Sequence, residues 1–307
     1  MLRLLDAPVT ADEIDHLGHM NVRHYSKRAW LATQVWFARR GLDETALRRR
    51  GLALSPKDLL THFYREQRLG APLVVEGAVT EADGAPRLYV EILNTETGER
   101  AAAVIVTPQL TERATRMAAA QALPWPAGPE LALPAHAAPR SLSFAPPRLD
   151  MTLADLERRT AGRAFPYGGV EGVIPLDACD EAGFMRASGA QDIDFVAIDA
   201  NVGRRGLLFS GEDHVTFGWA MLESRQLLAA TPRAGDRVKV IGAEIRIDRK
   251  AHWNRRWMFN ADSGRIYGVC DHVSLAFDIA TRRAIEIPPA ARRDLEAMRI
   301  PDLAEVG

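Results

Sequence analysis

The first third of the chain changes from a helical to a strand-like pattern of apolar residues. In RHYSKRAWLATQVWFARRG, apolar residues recur every three or four positions at Tyr25, Ala29, Ala32, Val35 and Trp36, which predicts one amphipathic helix. The segments LLTHFYREQ, PLVVEGAVTEA, RLYVEILNTETG and RAAAVIVTPQL follow, separated by turn signals that suit an antiparallel meander. This order predicts an α+β fold, in which one helix is embraced by a curved antiparallel sheet.

The same pattern occurs twice. DHLGHM at 15–20 recurs as DEAGFM at 180–185, and RLGAPLVVEG at 68–77 recurs as RAGDRVKVIG at 233–242, both 165 positions later. ETGER at 96–100 recurs as DSGRI, now 166 positions later. The strand-like segments AMLESRQLLAA, DRVKVIGAEIRID, HWNRRWMFNADSG and IYGVCDHVSLAFD repeat the meander. Three matches in order at a nearly constant offset predict two copies of one domain.

Between the copies, residues 123–150 contain seven prolines and many small residues, which is typical of a linker. Helix propagation is not expected there, because each proline removes a backbone donor and restricts its predecessor. We therefore predict one domain at 1–122, a linker at 123–150 and a second domain at 151–307.

Composition and charge narrow the classes of partner. A formal net charge of -1 over 307 residues gives no overall reason to expect nucleic acid or an anionic membrane as partner. No apolar run approaches the length of a membrane span, and the N-terminal residues turn acidic before a signal-peptide core develops. Two cysteines, Cys179 and Cys270, are too few for a disulfide framework. A cytoplasmic setting is expected, and the absence of nucleotide-binding glycine motifs argues against a nucleotide-binding α/β fold.

Candidate chemistry concentrates in IDHLGHMNVRHYS at 14–26. Asp15 suits a general base or a carboxylate nucleophile, but it equally suits a turn cap that accepts backbone N–H bonds. A metal site built from His16, His19 and His24 would require the turn to fold back, so no metal and no cofactor are predicted.

DHLGHMNVRHY at 15–25 resembles the Asp-x-x-Gly-His-Met-Asn signature that opens the central helix of hotdog-fold acyl-CoA thioesterases, the 4-hydroxybenzoyl-CoA thioesterase-like group. FYREQRLGAPLVVEG is similar to the strand pair that follows in that group. Two copies in one chain then imply a double hotdog, a pseudo-dimer that replaces the usual homodimer. The resemblance places the catalytic acid on Asp15 and positioning roles on His19 and Asn21.

The second copy is further similar, over residues 248–288, to thioesterases linked with carnitine and betaine breakdown. Asp278, Thr281, Arg282 and Arg283 match the ending of that stretch, and Asp271 stands at its glutamate position.

In a thioesterase, the N–H groups at the start of the central helix would receive the thioester carbonyl. That assigns Gly18, Met20 and Val22 to substrate binding. The second turn keeps Asp180 but has Phe184 and Arg186 in place of the histidine and asparagine. Either this copy has lost catalysis, or another acid acts in its place. Asp271 or Glu223, each on a predicted strand, could be that acid. In a hotdog pair the site commonly combines one unit's helix with the other's strands, so Asp15 could also work alongside Glu223, Arg225 or Asp271. Arg255 and Arg282 could meet the CoA phosphates.

The function expected is hydrolysis of an acyl-CoA, with no nucleic acid or membrane as partner. The double unit could also assemble into homo-oligomers. A hotdog hydratase or dehydratase is the enzymatic alternative. A non-catalytic double hotdog that binds an acyl thioester or a protein partner is the third.

Overall fold

The computed structural model describes residues 1–15, 17–143, 147, 149–162, 169–201 and 217–300. His16, one of the three histidines weighed as metal ligands, lies outside these residues. The chain divides into two compact units, Met1–Arg140 and Ser141–Gly307. The division lies inside the predicted linker at 123–150.

Unit 1 is an antiparallel sheet with one long helix on one face. Its elements are β1 (Leu2–Pro8), a 3₁₀ turn (Ala11–Glu13), α1 (Val22–Ala38), α2 (Glu44–Arg49), β2 (Leu52–Phe63), β3 (Pro72–Ala82), β4 (Ala85–Asn94) and β5 (Arg100–Glu112). The strands pair antiparallel in the order β1-β3-β4-β5-β2. Apolar residues of α1, such as Ala29 and Trp36, are fully buried in one cluster with Leu59, Val90 and Val104 of the sheet.

Unit 2 has the same arrangement, and its described residues form two further short helices. Its elements are α3 (Leu153–Thr160), β6 (Val170–Val173), a 3₁₀ turn (Leu176–Ala178), α4 (Ala190–Ala200), β7 (Phe217–Leu228), β8 (Arg237–Ile247), β9 (Ala251–Asn260), β10 (Ile266–Asp278) and α5 (Pro289–Met298). The strands pair antiparallel in the order β7-β10-β9-β8-β6. Ile193 of α4 shares a core cluster with Met258 and Cys270, whereas Trp257 and Val269, their neighbours in sequence, form a cluster with Leu156 of α3. Because side chains alternate along a strand, α4 and α3 cover opposite faces of the sheet.

The repeat offset in the sequence has a structural cause. β2 and β3 recur 165 positions later as β7 and β8, whereas β4 and β5 recur 166 positions later as β9 and β10. The extra residue lies in the hairpin, which has two residues between β3 and β4 but three between β8 and β9. The predicted α+β repeat, one helix on an antiparallel meander in each copy, is confirmed.

Residues 123–140, in the predicted linker, pack against the sheet and helix of unit 1. The ring of Trp125 lies 5.6 Å from that of Phe37. Val79 donates to the Pro129 carbonyl and accepts from the Leu131 amide, both at 2.8 Å. Prolines exclude helix here, but their carbonyl oxygens still accept hydrogen bonds. This part of the segment is therefore a docked element of unit 1.

Candidate active site

The turn that precedes α1 is closed by its own backbone. The Asp15 amide donates to the His19 carbonyl at 2.9 Å, and the Gly18 amide donates to the Asp15 carbonyl at 3.0 Å. Gly18 has φ +78°, a left-handed conformation that glycine adopts without steric cost. The Met20 amide then bonds to the Gln67 carbonyl at 2.7 Å, which fixes the turn beside the end of β2. This backbone brings the side chains of residues 15 and 19 together.

The imidazole of His19 lies between two carboxylates. Its Nδ1 is 3.3 Å from Asp15 Oδ2, and its Nε2 is 3.8 Å from Glu66 Oε1. The other oxygen of Asp15 accepts the Leu17 amide at 2.9 Å. The Asp15 and His19 side chains are 14% and 15% exposed, so this Asp15–His19–Glu66 group is sheltered but reaches solvent. Asp15 therefore both caps the turn and presents one oxygen to His19.

Sequence reasoning did not identify Glu66. It lies three residues after the end of β2, in the FYREQ stretch that carries part of the family resemblance. The sequence signal that could have identified Glu66 is the presence of a carboxylate in that stretch. Its relation to His19 depends on the long-range bond between Met20 and Gln67, which spacing along the chain does not show.

The helix entrance is formed by Asn21 and Val22. Asn21 is the N-cap of α1, and its Oδ1 accepts the Arg23 amide at 3.1 Å. The Val22 N–H donates to no acceptor among the residues that the structure describes. An N–H at the positive end of a helix is suited to stabilising an oxyanion. The structure therefore gathers Asp15, Gly18, His19, Asn21 and Val22 in one place.

Buried ionic contacts hold this turn to α1. Arg28 donates to both oxygens of Glu13, at 3.0 and 2.6 Å, and to the carbonyls of Ala7 and Pro8. Burial opposes ionisation of Glu13, but the hydrogen bonds from Arg28 and from the Thr10 backbone outweigh it and lower its pKa. Glu13, two residues before Asp15, is thus a charged anchor that joins the turn to α1.

His24 is a packing residue of the first turn of α1. Burial, followed by the charges of Lys27 and Arg23, lowers its pKa to about 4. Its imidazole is therefore neutral at neutral pH. Among the described residues, no group of three or more histidines, cysteines and acids is placed to hold a metal ion. None of the helices in the described ranges is both long and apolar enough to cross a membrane.

The turn of unit 2 repeats the backbone but not the chemistry. The Asp180 amide bonds to the Phe184 carbonyl at 2.8 Å, and Gly183 again has φ +78°. Asp180 Oδ1 accepts two amides, those of Ala182 at 2.9 Å and Phe184 at 3.0 Å. The aromatic ring of Phe184, in the position of His19, lies 4.4 Å from the guanidinium carbon of Arg233. Asp180 is thus placed as a turn cap.

The helix entrance of unit 2 is also different. α4 begins at Ala190, three residues later than the repeat of α1 would begin. The Gln226 side-chain oxygen accepts the Gln191 amide at 3.1 Å, so a side chain of unit 2 caps this helix end.

The strand candidates of unit 2 lie on the sheet face opposite α4. Asp271 receives two hydrogen bonds from Arg255, at 2.6 and 3.0 Å, and its cross-strand neighbour on β7 is Arg225. Glu223 accepts the amides of Ser141 and Leu142.

Arg282 is separate from these strand residues. It follows the end of β10, with its guanidinium carbon 5.5 Å from the ring of Phe277. The structure therefore groups Arg225, Arg255 and Asp271, and places Arg282 elsewhere in unit 2.

Residues 9–134 match the sequence profile of the Thioesterase-like superfamily. Unit 1 is similar to that superfamily. The matched range includes the Asp15 turn, α1 and all of β2 to β5. No curated protein matches the sequence significantly.

Solved structures extend the likeness over both units. A candidate oleoyl thioesterase from Lactobacillus plantarum is 11% identical, with 88% of this chain and 94% of that chain covered at a TM-score of 0.60. An acyl-ACP thioesterase from Bacteroides thetaiotaomicron is 9% identical, with 89% and 96% covered at 0.59. The 12:0-ACP thioesterase from Umbellularia californica is 9% identical, with 89% and 93% covered at 0.59. At these identities the likeness establishes the fold, and the prediction of two tandem hotdog units is confirmed. The resemblance of unit 2 to carnitine- and betaine-pathway enzymes stays a prediction.

Proposed function

We propose that the protein hydrolyses an acyl thioester at the helix entrance of unit 1. The observation that carries the proposal is the Asp15–His19 pair, with a 3.3 Å contact, at the N-terminus of α1. The match to the Thioesterase-like superfamily covers this turn and supports thioester hydrolysis as the reaction class.

In the proposed reaction, Asp15 activates a water molecule. The carboxylate accepts a proton as the water oxygen bonds to the thioester carbon. As the C–S bond breaks, Asp15 returns that proton to the leaving sulfur, which releases a thiol and a carboxylic acid. The Leu17 amide holds Oδ1 of Asp15, and Oδ2, which faces His19, is the oxygen that accepts the proton. Direct attack by the carboxylate is the variant in which an acyl-enzyme anhydride forms first.

The helix entrance and His19 supply the remaining functions. The Val22 N–H stabilises the negative charge that develops on the carbonyl oxygen, which is the largest single contribution in many acyl-transfer enzymes. His19 is oriented by Glu66 on its Nε2 side and positions Asp15 through Nδ1. Asn21 fixes the start of the helix and thereby the direction of that N–H.

Unit 2 has no equivalent group at its own turn. Phe184 replaces the imidazole, two amides occupy one oxygen of Asp180, and Gln226 caps α4. We therefore assign the reaction to unit 1 and a non-catalytic role to the unit 2 turn. The substrate class is an acyl thioester of coenzyme A or of acyl carrier protein. Two of the similar structures are named as acyl-ACP enzymes, so both carriers belong in the test.

The test is the release of free thiol from a panel of acyl-CoA and acyl-ACP substrates of increasing chain length. The wild-type protein should release thiol from at least one of them, and Asp15→Asn should lose most of that turnover. Asparagine keeps an oxygen for the Leu17 amide, so the turn should still fold, which circular dichroism would verify. The absence of thiol release from every substrate would refute the proposal, and full turnover by the variant would refute its site.

A further inference from the structure

Gln67, which follows Glu66 in the segment after β2, is a buried residue with hydrogen-bond partners on three sides. It is 4% exposed, and its backbone carbonyl accepts the Met20 amide of the entrance turn at 2.7 Å. Its side-chain Oε1 accepts Asn94 Nδ2 at 2.9 Å, and its Nε2 donates to the Arg65 carbonyl at 3.2 Å. Gln67 therefore joins the entrance turn and the residue before Glu66 to the end of β4.

The direction of these hydrogen bonds is set by the hairpin at the end of β4. Asn94 Oδ1 accepts the backbone amides of Glu96 and Thr97, at 2.9 and 3.2 Å. Because those amides can only donate, the amide nitrogen of Asn94 is the atom that faces Gln67. Gln67 must then accept with its oxygen, which leaves its own amide nitrogen for the Arg65 carbonyl. One hairpin side chain thus sets the orientation of a second amide beside the candidate site.

The Arg65 carbonyl has a second side-chain donor. The Tyr25 hydroxyl, in the first turn of α1, donates to it at 3.3 Å. Burial raises the pKa of Tyr25, so this hydroxyl keeps its proton. The backbone is thereby held on both sides of Glu66, at the Arg65 carbonyl and at the Gln67 carbonyl. A fixed backbone leaves a side chain its few staggered rotamers, and in the one observed Glu66 Oε1 lies 3.8 Å from His19 Nε2.

Unit 2 keeps the hairpin asparagine but directs it elsewhere. Asn260, the counterpart of Asn94, accepts two amides of its own hairpin, at 3.1 and 2.7 Å. Its Nδ2 donates to the Tyr267 hydroxyl at 2.9 Å, and Tyr267 donates to Asp236 at 2.6 Å. Capping the hairpin is therefore common to both copies, whereas Asn94 has the additional contact with a buried glutamine.

The residues that lead from this hairpin to the entrance turn also differ. The counterparts of Tyr25, Glu66 and Gln67 in unit 2 are Ala190, Thr231 and Pro232. The Pro232 carbonyl still accepts the Met185 amide at 2.9 Å, as the Gln67 carbonyl accepts the Met20 amide. The turn itself therefore forms without a glutamine side chain. The side chains of Gln67 and Asn94 occur together with the carboxylate at residue 66.

We infer that Asn94 and Gln67 are positioning residues, which act on catalysis by holding the Glu66 carboxylate beside His19. This role rests on the proposed function, because Glu66 acts through His19 on Asp15. Neither amide touches the substrate; each fixes the backbone from which the carboxylate extends.

Asn94→Asp separates this role from hairpin capping. The aspartate still accepts the hairpin amides, but it cannot donate to Gln67, whose amide must turn over and release the Arg65 carbonyl. We expect kcat to fall about tenfold and KM to change less than about twofold, because the substitution displaces Glu66 without altering substrate contacts. Asn260→Asp, the matched change in unit 2, should leave kcat within about twofold of the wild type.

A double-mutant cycle with Glu66→Gln distinguishes positioning from a general loss of stability. Glu66→Gln should itself lower kcat about tenfold, and adding Asn94→Asp should lower it by less than a further factor of about two. Losses that multiply would overturn the inference, since a weakened fold acts whatever residue stands at position 66. Unchanged kcat in Glu66→Gln would overturn it as well.

The placement can also be measured without turnover. In protein with ¹³C-labelled histidine, the ring C–H signal of His19 is assigned from its loss in His19→Gln. That signal should shift in Asn94→Asp and stay in place in Asn260→Asp; an unmoved signal in Asn94→Asp would overturn the inference. A shift in a protein that releases thiol from no substrate would refute the proposed function alone and support the placement.

Discussion

The two copies of the Asp-x-x-Gly turn have nearly the same backbone, but they differ in the side chain beside the aspartate and in where the following helix starts. Both are closed by a bond between the aspartate amide and a carbonyl four residues later, and both have a glycine at φ +78°. In unit 1 a histidine contacts the aspartate, and the helix starts at once. In unit 2 a phenylalanine replaces the histidine, and the helix starts three residues late with a glutamine on its first turn. Backbone geometry thus requires the aspartate and glycine, whereas chemistry depends on what surrounds them.

The space between helix and sheet shows the reverse difference, since here unit 1 is apolar and unit 2 contains charged side chains. In unit 1 Ala29 and Val90 are buried there among apolar residues. In unit 2 the corresponding positions are Asp194 and Arg256, joined by a 2.6 Å ion pair in which the Asp194 side chain is 1% exposed. Arg256 continues through Asn254 to Glu244, which is fully buried. Unit 1 therefore combines an apolar helix–sheet contact with a polar entrance, whereas unit 2 has an ion pair within its helix–sheet contact and a capped entrance.

The largest expected effect tests this core difference. Asp194→Ala leaves the half-buried Arg256 guanidinium without its carboxylate, which should lower the free energy of unfolding by about 3 kcal/mol, the lower end for a buried pair because the Arg256 side chain is 24% exposed. The double variant Asp194→Ala/Arg256→Val copies the pair found in unit 1 and should recover most of that loss, because both charges are removed. Urea unfolding measures both. A cost below about 1 kcal/mol for the single variant would show that the pair is not structurally important.

Acid stability tests His24, a buried histidine of unit 1 whose counterpart in unit 2 is Gly189. The pKa of His24 is about 4 in the folded protein, against 6.5 for an ordinary histidine. The part of the free energy of unfolding that depends on neutral His24 is fully present above pH 6.5. It is lost as the pH falls to 4, because in that range only the unfolded chain takes up a proton at this residue. The loss is on the order of 3 kcal/mol.

His24→Gln should therefore lose less stability between pH 7 and pH 4 than the wild type does. Unfolding curves across that range give the comparison. His272 in unit 2 destabilises the protein in acid in the same direction, because its pKa is also lowered, so only the difference between variant and wild type isolates His24. Equal acid losses in both proteins would contradict the assignment.

Exchange of the residues that differ between the turns tests the entrance. His19→Phe should lower kcat about 10- to 100-fold, since it removes the group that positions Asp15. Phe184→His should leave turnover unchanged, because Asp180 is already engaged by two amides. Thiol-release kinetics of the two variants give the answer. Comparable losses in both would mean that the two turns contribute equally.

The smallest expected effect is at the helix cap. Asn21→Ala removes the acceptor for the Arg23 amide and should cost about 1 kcal/mol of stability. Arg186, the counterpart in unit 2, is not an N-cap, so Arg186→Ala should stay within about 0.5 kcal/mol. Thermal unfolding of both variants provides the check. A larger cost for Arg186→Ala would contradict the difference between the helix starts.

Much of the fold could be predicted because it depends on local pattern. The period of apolar residues predicts α1, and the repeat offset predicts the two meanders, whereas the structure was needed to locate the one extra residue in the second hairpin. The partners of individual side chains could not be predicted. Glu66 approaches His19, and Glu223 binds the amides of Ser141 and Leu142, through contacts between distant segments. Similarly, no pattern along the strands shows that Asp271 faces away from α4 rather than towards it.

The most direct test compares Asp15→Asn with Asp180→Asn, because both substitutions alter the same turn and retain an oxygen for the backbone amides. Turnover of the best thioester substrate would be measured for each variant and corrected for the folded fraction. We expect kcat to fall at least about 100-fold in Asp15→Asn and to stay within about twofold of the wild type in Asp180→Asn. Equal turnover in the two variants, or a greater loss in Asp180→Asn, would contradict the assignment of catalysis to unit 1.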